Sequence, residues 1–182
     1  MFLFTLALLT SIGCFGFSRW QRRARLQIGP AERDLASLQV GDAVLHLGDD
    51  FVVTGQLSIV DGEKRAIMHR LWDGTEERFL CRAPSPSSSS DWLLAKRLPG
   101  SVAHLTGGSQ WVEHQQRRFA LHAEFSGAAE RVGEFGGPFA ERAAVRAYGC
   151  ELDHLLVVEF GEASAYLGAA VAENDFDLLP SK

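Results

Sequence analysis

The fold is indicated most clearly by residues 51–74, which read FVVTGQLSIVDGEKRAIMHRLWDG. Two runs rich in β-branched and apolar residues, 51–60 and 66–72, are each followed by an Asp-Gly pair. Such runs favour strands, and Asp-Gly accepts the positive φ angles that tight hairpin turns need. The stretch therefore predicts two consecutive β-hairpins, the second of which is completed by a strand over 76–82.

The same strand pattern continues on both sides of this stretch. Further predicted strands cover 38–47, 116–125, 142–148, 155–160 and 165–171. No convincing amphipathic helix separates them, and strands at such spacing favour an antiparallel sheet over a parallel α/β sheet. The predicted fold class is mainly β: an antiparallel sandwich or barrel-like domain over residues 38–179, preceded by one N-terminal transmembrane helix.

A Ser/Pro-rich segment, PSPSSSSD over 84–91, interrupts the strands. It is too polar to pack, so it is interpreted as an exposed loop joining two β halves of the domain. The following residues, 91–98, are compatible with either a strand or a short helix.

The N-terminal residues 1–17, MFLFTLALLTSIGCFGF, contain no charged side chain. As a helix they would span about 26 Å, near the short end of what a hydrocarbon core of about 30 Å requires. Extension through Trp20, an aromatic residue of the kind found at membrane interfaces, brings the length closer. Residues 1–20 are therefore predicted to be a membrane anchor that contacts the lipid bilayer.

Basic residues follow this segment directly, and no acidic residue occurs before Glu32. Arginine-rich flanks resist translocation, which predicts that the chain after residue 20 lies in the cytoplasm. Residues 21–37 are interpreted as a basic juxtamembrane segment and linker. The predicted interfacial residues are Arg19, Trp20, Arg22, Arg23 and Arg25.

Two other interpretations of the N-terminus place the domain in the periplasm or attach it by a lipid. A cleaved signal peptide normally carries its positive charge before the apolar region, whereas here the charge follows it. Cys14 stands after Ser11-Ile12-Gly13, which is similar to a lipoprotein processing site but has serine where leucine is expected and lacks a basic start.

The rest of the chain is acidic. Apart from the four juxtamembrane arginines, fourteen basic residues stand against twenty-three acidic ones, a formal charge of −9. Such a domain is repelled by phosphates, which argues against a nucleic-acid partner.

Sequence motifs for chemistry are missing. The chain has no CxxC, HExxH, GxSxG or phosphate-loop motif, and no cofactor, catalytic residue or metal ligand is assigned. The acidic stretch 173–177 has oxygen ligands at alternating positions but lacks the glycine and terminal glutamate of a calcium loop, so it is interpreted as a solvated tail. Cys81 and Cys150 are expected to be buried free thiols, with a disulfide as the alternative.

The sequence leaves open whether either of two groups of residues comes together in the fold to form a site. A small-ligand or catalytic site would need His69, His122 and Glu124 to meet in space. The tryptophans Trp72, Trp92 and Trp111 would line a ligand pocket if they were not core residues.

Several segments resemble the bacterial family known as domain of unknown function 4178. They are Leu38 to Asp42, Gly48, the 51–57 strand, Leu71-Trp72-Asp73-Gly74, Phe79-Leu80 and Tyr166-Leu167-Gly168. The resemblance covers about residues 38–179 and implies a β-rich module associated with membrane proteins, without a catalytic residue to carry over. Family members tend to have tryptophan and glutamate where this chain has Met68, His69 and Arg70.

These observations predict a membrane-anchored, non-enzymatic interaction module that binds a membrane-associated protein at the cytoplasmic membrane face. The alternative is a membrane-bound small-ligand binder or enzyme with a site outside the known motifs.

Overall fold

The computed structural model describes residues 34–83, 92–100, 109–136 and 140–179. These residues belong to one compact unit that begins at Asp34. Apart from two short 3₁₀ turns, at Leu35–Ser37 and Glu173–Asp175, the regular structure of this part is strand.

Eleven strands form one antiparallel sheet in the described ranges. Their bounds are β1 Ala43–His46, β2 Asp49–Asp61, β3 Lys64–Trp72, β4 Glu77–Arg82, β5 Trp92–Arg97, β6 Trp111–His114, β7 Arg117–Gly133, β8 Arg142–Cys150, β9 Asp153–Phe160, β10 Glu162–Val171 and β11 Phe176–Leu179. The order across the sheet is β11, β1, β2, β3, β4, β5, β10, β9, β8, β7, β6, and β2 also pairs with β7. That additional pairing closes β2 to β5 and β7 to β10 into an eight-stranded barrel. The prediction of a mainly β antiparallel domain is thus confirmed, as a barrel.

The barrel consists of two four-stranded meanders that meet at two closure seams. One seam pairs β2 with β7, and the other pairs β5 with β10. Both seams join residues far apart in the chain, whereas every other pairing within the barrel joins consecutive strands.

Glycines allow the backbones to approach at both closure seams. A Cβ on Gly127 would lie 2.2 Å from the carbonyl oxygen of Val60, and a Cβ on Gly168 would lie 2.3 Å from that of Leu94. Likewise, a Cβ on Gly55 would lie 2.5 Å from the carbonyl oxygen of Glu134. A side chain at these positions would force the paired backbones apart.

The barrel interior is filled with apolar side chains from all eight strands. An eight-stranded barrel is just wide enough for its inward-facing residues to fill it. The largest members of this inner cluster are Leu57, Ile59, Met68, Phe79, Phe125, Leu156, Val158, Phe160 and Tyr166. The interior is therefore a packed core.

Two further clusters cover parts of the outer barrel surface. The first packs the segment before β1, together with β1 and β11, onto outward residues of β3 to β5; it includes Leu35, Leu38, Val44, Phe51, Leu71, Leu80, Trp92 and Phe176. The second packs the β6–β7 hairpin onto β8 to β10 and includes Val112, Phe119, Tyr148, Leu155, Val157 and Ala165.

Several local predictions are confirmed. The two Asp-Gly turns separate β2 from β3 and β3 from β4, and the carboxylate of Asp73 accepts hydrogen bonds from the backbone N–H groups of Thr75 and Glu76, both at 2.7 Å. The undecided stretch 91–98 contains strand β5. The segment 84–91 lies outside the described residues, and the strands on either side of it, β4 and β5, pair with each other.

Other predictions are wrong in detail. The first strand begins at Ala43 and not at residue 38, because Asp42 turns the chain: its carboxylate accepts a hydrogen bond from the backbone N–H of Gln39 at 2.8 Å. The acidic stretch 173–177 is not a solvated tail, since Phe176 and Asp177 belong to β11, which pairs with β1. Strand β6 was not predicted.

The predicted anchor, residues 1–20, and most of the linker 21–37 lie outside the described residues. No helix in the described ranges has the length and hydropathy needed to cross a membrane.

Candidate functional site

One end of the barrel, which we call the mouth, carries a small cavity of about 20 Å³. Its walls come from β5, β9, β10 and the residues after β7, and include Arg97, Phe135, Phe160, Glu162, Ser164 and Tyr166. A space of this size holds about one water molecule. The mouth as it stands does not accommodate an organic ligand.

Phe135 closes the mouth. Its side chain is buried, with its ring centroid 5.9 Å from that of Phe79 in an edge-to-face arrangement, and Phe79 meets Tyr166 in the same manner at 4.6 Å. Edge-to-face aromatic pairs are mutually attractive beyond their buried area. The aromatic triplet thereby fills the end of the barrel.

Arg70 holds the backbone beside Phe135. Its Nη1 donates to the carbonyl oxygen of Glu134 at 2.8 Å, and its Nε donates to the Glu77 carboxylate at 2.6 Å. The Glu134 N–H in turn donates to the Thr54 carbonyl at 2.8 Å. These hydrogen bonds hold the segment that follows β7 in place across the mouth.

The mouth offers hydrogen-bond donors. Arg97 Nη2 donates to the Ser164 hydroxyl at 2.7 Å. Burial raises the pKa of Tyr166 to about 12, so its phenol is protonated at neutral pH and does not serve as a base there.

His69 lies on β3 inside the first outer cluster and is fully buried. Within the described residues neither imidazole nitrogen makes a hydrogen bond of normal geometry, and the ring lies 6.0 Å from that of Trp92, centroid to centroid. Burial lowers the pKa of His69 to about 4, with the Leu35 backbone acting more weakly in the opposite direction. At neutral pH His69 is therefore an uncharged core residue.

His69 does not meet His122 and Glu124. His69 pairs with Gln56 of β2, which pairs with Val132 of β7. His122 precedes Val132 by ten residues on the same strand, about 33 Å at the usual rise. His122 is exposed at a bulge of β7, and Glu124 accepts a hydrogen bond from Arg146 Nε at 2.8 Å. His69, His122 and Glu124 therefore do not form the small-ligand or catalytic site that the sequence left open.

The tryptophans do not form a pocket either. Trp92 is core, Trp72 is exposed at the end of β3, and Trp111 on β6 is stacked by the guanidinium of Arg118 at 4.0 Å from its ring centroid.

The described residues contain no group of three or more potential ligands placed to hold a metal. In the acidic stretch, Glu173 accepts a hydrogen bond from the Leu35 N–H at 2.8 Å, and Asp175 accepts one from the Ala172 N–H at 3.2 Å. Cys81 and Cys150 are free thiols, the first buried in the barrel and the second half-buried.

A solvent-facing apolar row crosses four strands next to the mouth. Cross-strand register places Leu179 opposite Ala43, Ala43 opposite Val52, and Val52 opposite Trp72. Residues directly opposite in antiparallel strands share a face of the sheet. Val52 is 44% exposed and Trp72 is 38% exposed, whereas Ala43 and Leu179 are half-buried. We call these four residues the apolar row.

Acidic residues border the apolar row. Leu45, two positions after Ala43 and on the same face, is opposite Asp177 on one side and Asp50 on the other. Both aspartates are exposed. The other face of these strands is occupied by Val44, Phe51 and the rest of the first outer cluster.

No protein-family model, curated protein or solved structure matches this chain. The resemblance to the domain of unknown function 4178 family stays a prediction.

The predicted interfacial residues Arg19, Trp20, Arg22, Arg23 and Arg25 lie outside the described ranges, as does Cys14. The apolar row was not predicted, because its members Ala43, Val52, Trp72 and Leu179 are far apart in the sequence. Register between β11, β1, β2 and β3 is needed to bring them together.

Replacing His69 with Phe is expected to reduce the acid sensitivity of the fold. In the unfolded state the imidazole has a pKa of about 6.5, whereas in the folded state its pKa is about 4. Between these two pH values only the unfolded state binds the proton, so the stability of the fold decreases as the pH falls from about 6.5 to about 4. The lost free energy of unfolding is about 3 kcal/mol. Urea titrations across the window, with His69→Leu as a second variant, measure it; equal pH dependence in wild type and both variants would contradict the assignment.

Proposed function

We propose that this chain is a membrane-tethered, non-enzymatic interaction module that binds a membrane-associated protein through the apolar row. Its packed barrel serves as a rigid support for that surface.

The exposed apolar row carries this proposal. When one face of an antiparallel sheet is solvated, its outward residues are normally polar. Here Trp72 and Val52 lie side by side on the solvated face, with Ala43 and Leu179 continuing the row. Contiguous exposed apolar surface with a polar border is typical of protein-binding sites, and tryptophan is enriched among the residues that dominate binding energy.

The tether is proposed from the sequence alone. The uncharged segment 1–17 followed by Arg19, Arg22, Arg23 and Arg25 supports an anchor in the inner membrane with the domain in the cytoplasm. Tethering raises the effective concentration of the domain near a membrane partner, so a surface as small as the apolar row suffices.

The alternative, a small-ligand binder or enzyme, would use the mouth. That role requires Phe135 to leave the barrel end, and its contacts with Phe79 and the hydrogen bonds of Glu134 oppose this movement. The interaction module is therefore the function that the geometry favours.

Changing the apolar row should abolish partner binding without unfolding the domain. We expect Val52→Ser/Trp72→Ser in the full-length, detergent-solubilised chain to lower recovery of co-purified partners about tenfold, since loss of a central anchor residue costs at least that much. The matched control is Leu152→Ser, which changes a residue 84% exposed in the β8–β9 turn. Equal recovery from both variants would refute the proposed surface.

The predicted membrane anchor and its orientation can be tested separately. Cell fractionation should place the full-length chain in the membrane, and a chain starting at Gln27 should be recovered in the soluble fraction. A periplasm-active reporter fused after Lys182 should be inactive. Recovery of the intact chain from the soluble fraction, or an active reporter, would contradict the predicted anchor and its orientation.

A further inference from the structure

We propose that the partner segment seated on the apolar row is an amphipathic helix whose apolar side is bordered by lysine or arginine. The inference rests on the proposed function and adds the chemistry of the partner.

Charge is the first reason. Asp50 and Asp177 flank Leu45 on the face that carries the apolar row, and both are exposed. On the far side, Glu77 is directly opposite Trp72, although its carboxylate already accepts a hydrogen bond from Arg70. A partner that covers the row brings its own flanking residues over Asp50 and Asp177. Basic residues there gain favourable contacts, whereas acidic ones are repelled.

Shape is the second reason. The apolar row runs across strands, and its three strand spacings amount to about 14 Å. Three apolar residues at i, i+3 and i+10 of a helix share one face and lie at about 0, 4.5 and 15 Å along its axis. A helix lying along the row therefore presents apolar side chains to Trp72, Val52 and Leu179 in turn, with the small side chain of Ala43 leaving room between the last two.

Two other occupants fit less well. A second copy packed about a two-fold axis that crosses the row at right angles would bring the Asp50 and Asp177 pair of each chain close to that of the other. In the described ranges β11 is an outermost strand of the sheet, but the residue that follows it in the sequence is proline, which has no N–H to donate to an added strand.

Synthetic peptides provide a probe. One peptide places leucine at i, i+3, i+7 and i+10 with lysine elsewhere, and its counterpart replaces every lysine with glutamate. Binding of the full-length chain, held in nanodiscs of zwitterionic lipid, to each immobilised peptide is measured with empty nanodiscs as the lipid reference. We expect the lysine peptide to bind at least tenfold more tightly, and more weakly as salt is raised.

Protein variants locate the effect. Asp50→Asn/Asp177→Asn should weaken lysine-peptide binding about fivefold, in line with two exposed ion pairs. Glu63→Gln/Glu151→Gln, which removes two charges from the β2–β3 and β8–β9 turns, should leave binding unchanged.

The outcomes separate this inference from the proposed function. If both peptides bind equally and Val52→Ser/Trp72→Ser abolishes both, the row is a docking site but the basic partner is refuted. If lysine-peptide binding survives Val52→Ser/Trp72→Ser, the row is not the docking site and both proposals fail. No binding of either peptide, or dimerisation of the chain through the row, overturns the basic helix.

Discussion

Closure of the barrel at its two seams is the constraint on which the rest of the structure depends. Pairing β2 with β7 and β5 with β10 joins segments that are distant in the chain. Forming these pairs therefore costs more chain entropy than forming the hairpins does. The backbones at the seams approach so closely that Gly127 and Gly168 have no space for a side chain. Once the seams form, inward residues of eight strands share one core, and each meander is held by the other.

The closed barrel is filled by its own side chains, which is why we propose a function for its surface. With Phe135 packed into the mouth and the interior occupied, we place the proposed docking surface where β1 and β11 continue the face of the barrel strands β2 and β3. Strand β11 adds to β1, and this pairing is reinforced by the stacking of His46 on Phe176 and by the hydrogen bond from Leu35 to Glu173. The same addition creates the apolar row, because Leu179 and Ala43 extend the face that Val52 and Trp72 begin. The proposed docking surface thus depends on residues near both ends of the domain.

Local chemistry in the sequence was sufficient to predict the hairpins. The Asp-Gly turns, the β-branched runs on either side of them and the three strands after residue 142 all appear where the pattern placed them. Strand β11 was missed because Phe176 stands among acidic residues, and the strand is stabilised by contacts with residues far away in the sequence. The apolar row, the burial of His69 and the distance between His69 and His122 follow from register and closure, which are properties of strand pairs and not of local stretches. Trp92 and Trp72 are alike in sequence, yet one is core and the other exposed.

The most direct test of this account is the stability of Gly127→Ala, measured by urea unfolding of the full-length chain and compared with the neighbouring, solvent-facing Ser126→Ala. The account predicts a loss of about 1 to 3 kcal/mol or more for Gly127→Ala, because the added methyl group meets the Val60 backbone and opens the first seam, while Ser126→Ala unfolds at the wild-type urea concentration. Wild-type stability in Gly127→Ala would contradict closure through this seam.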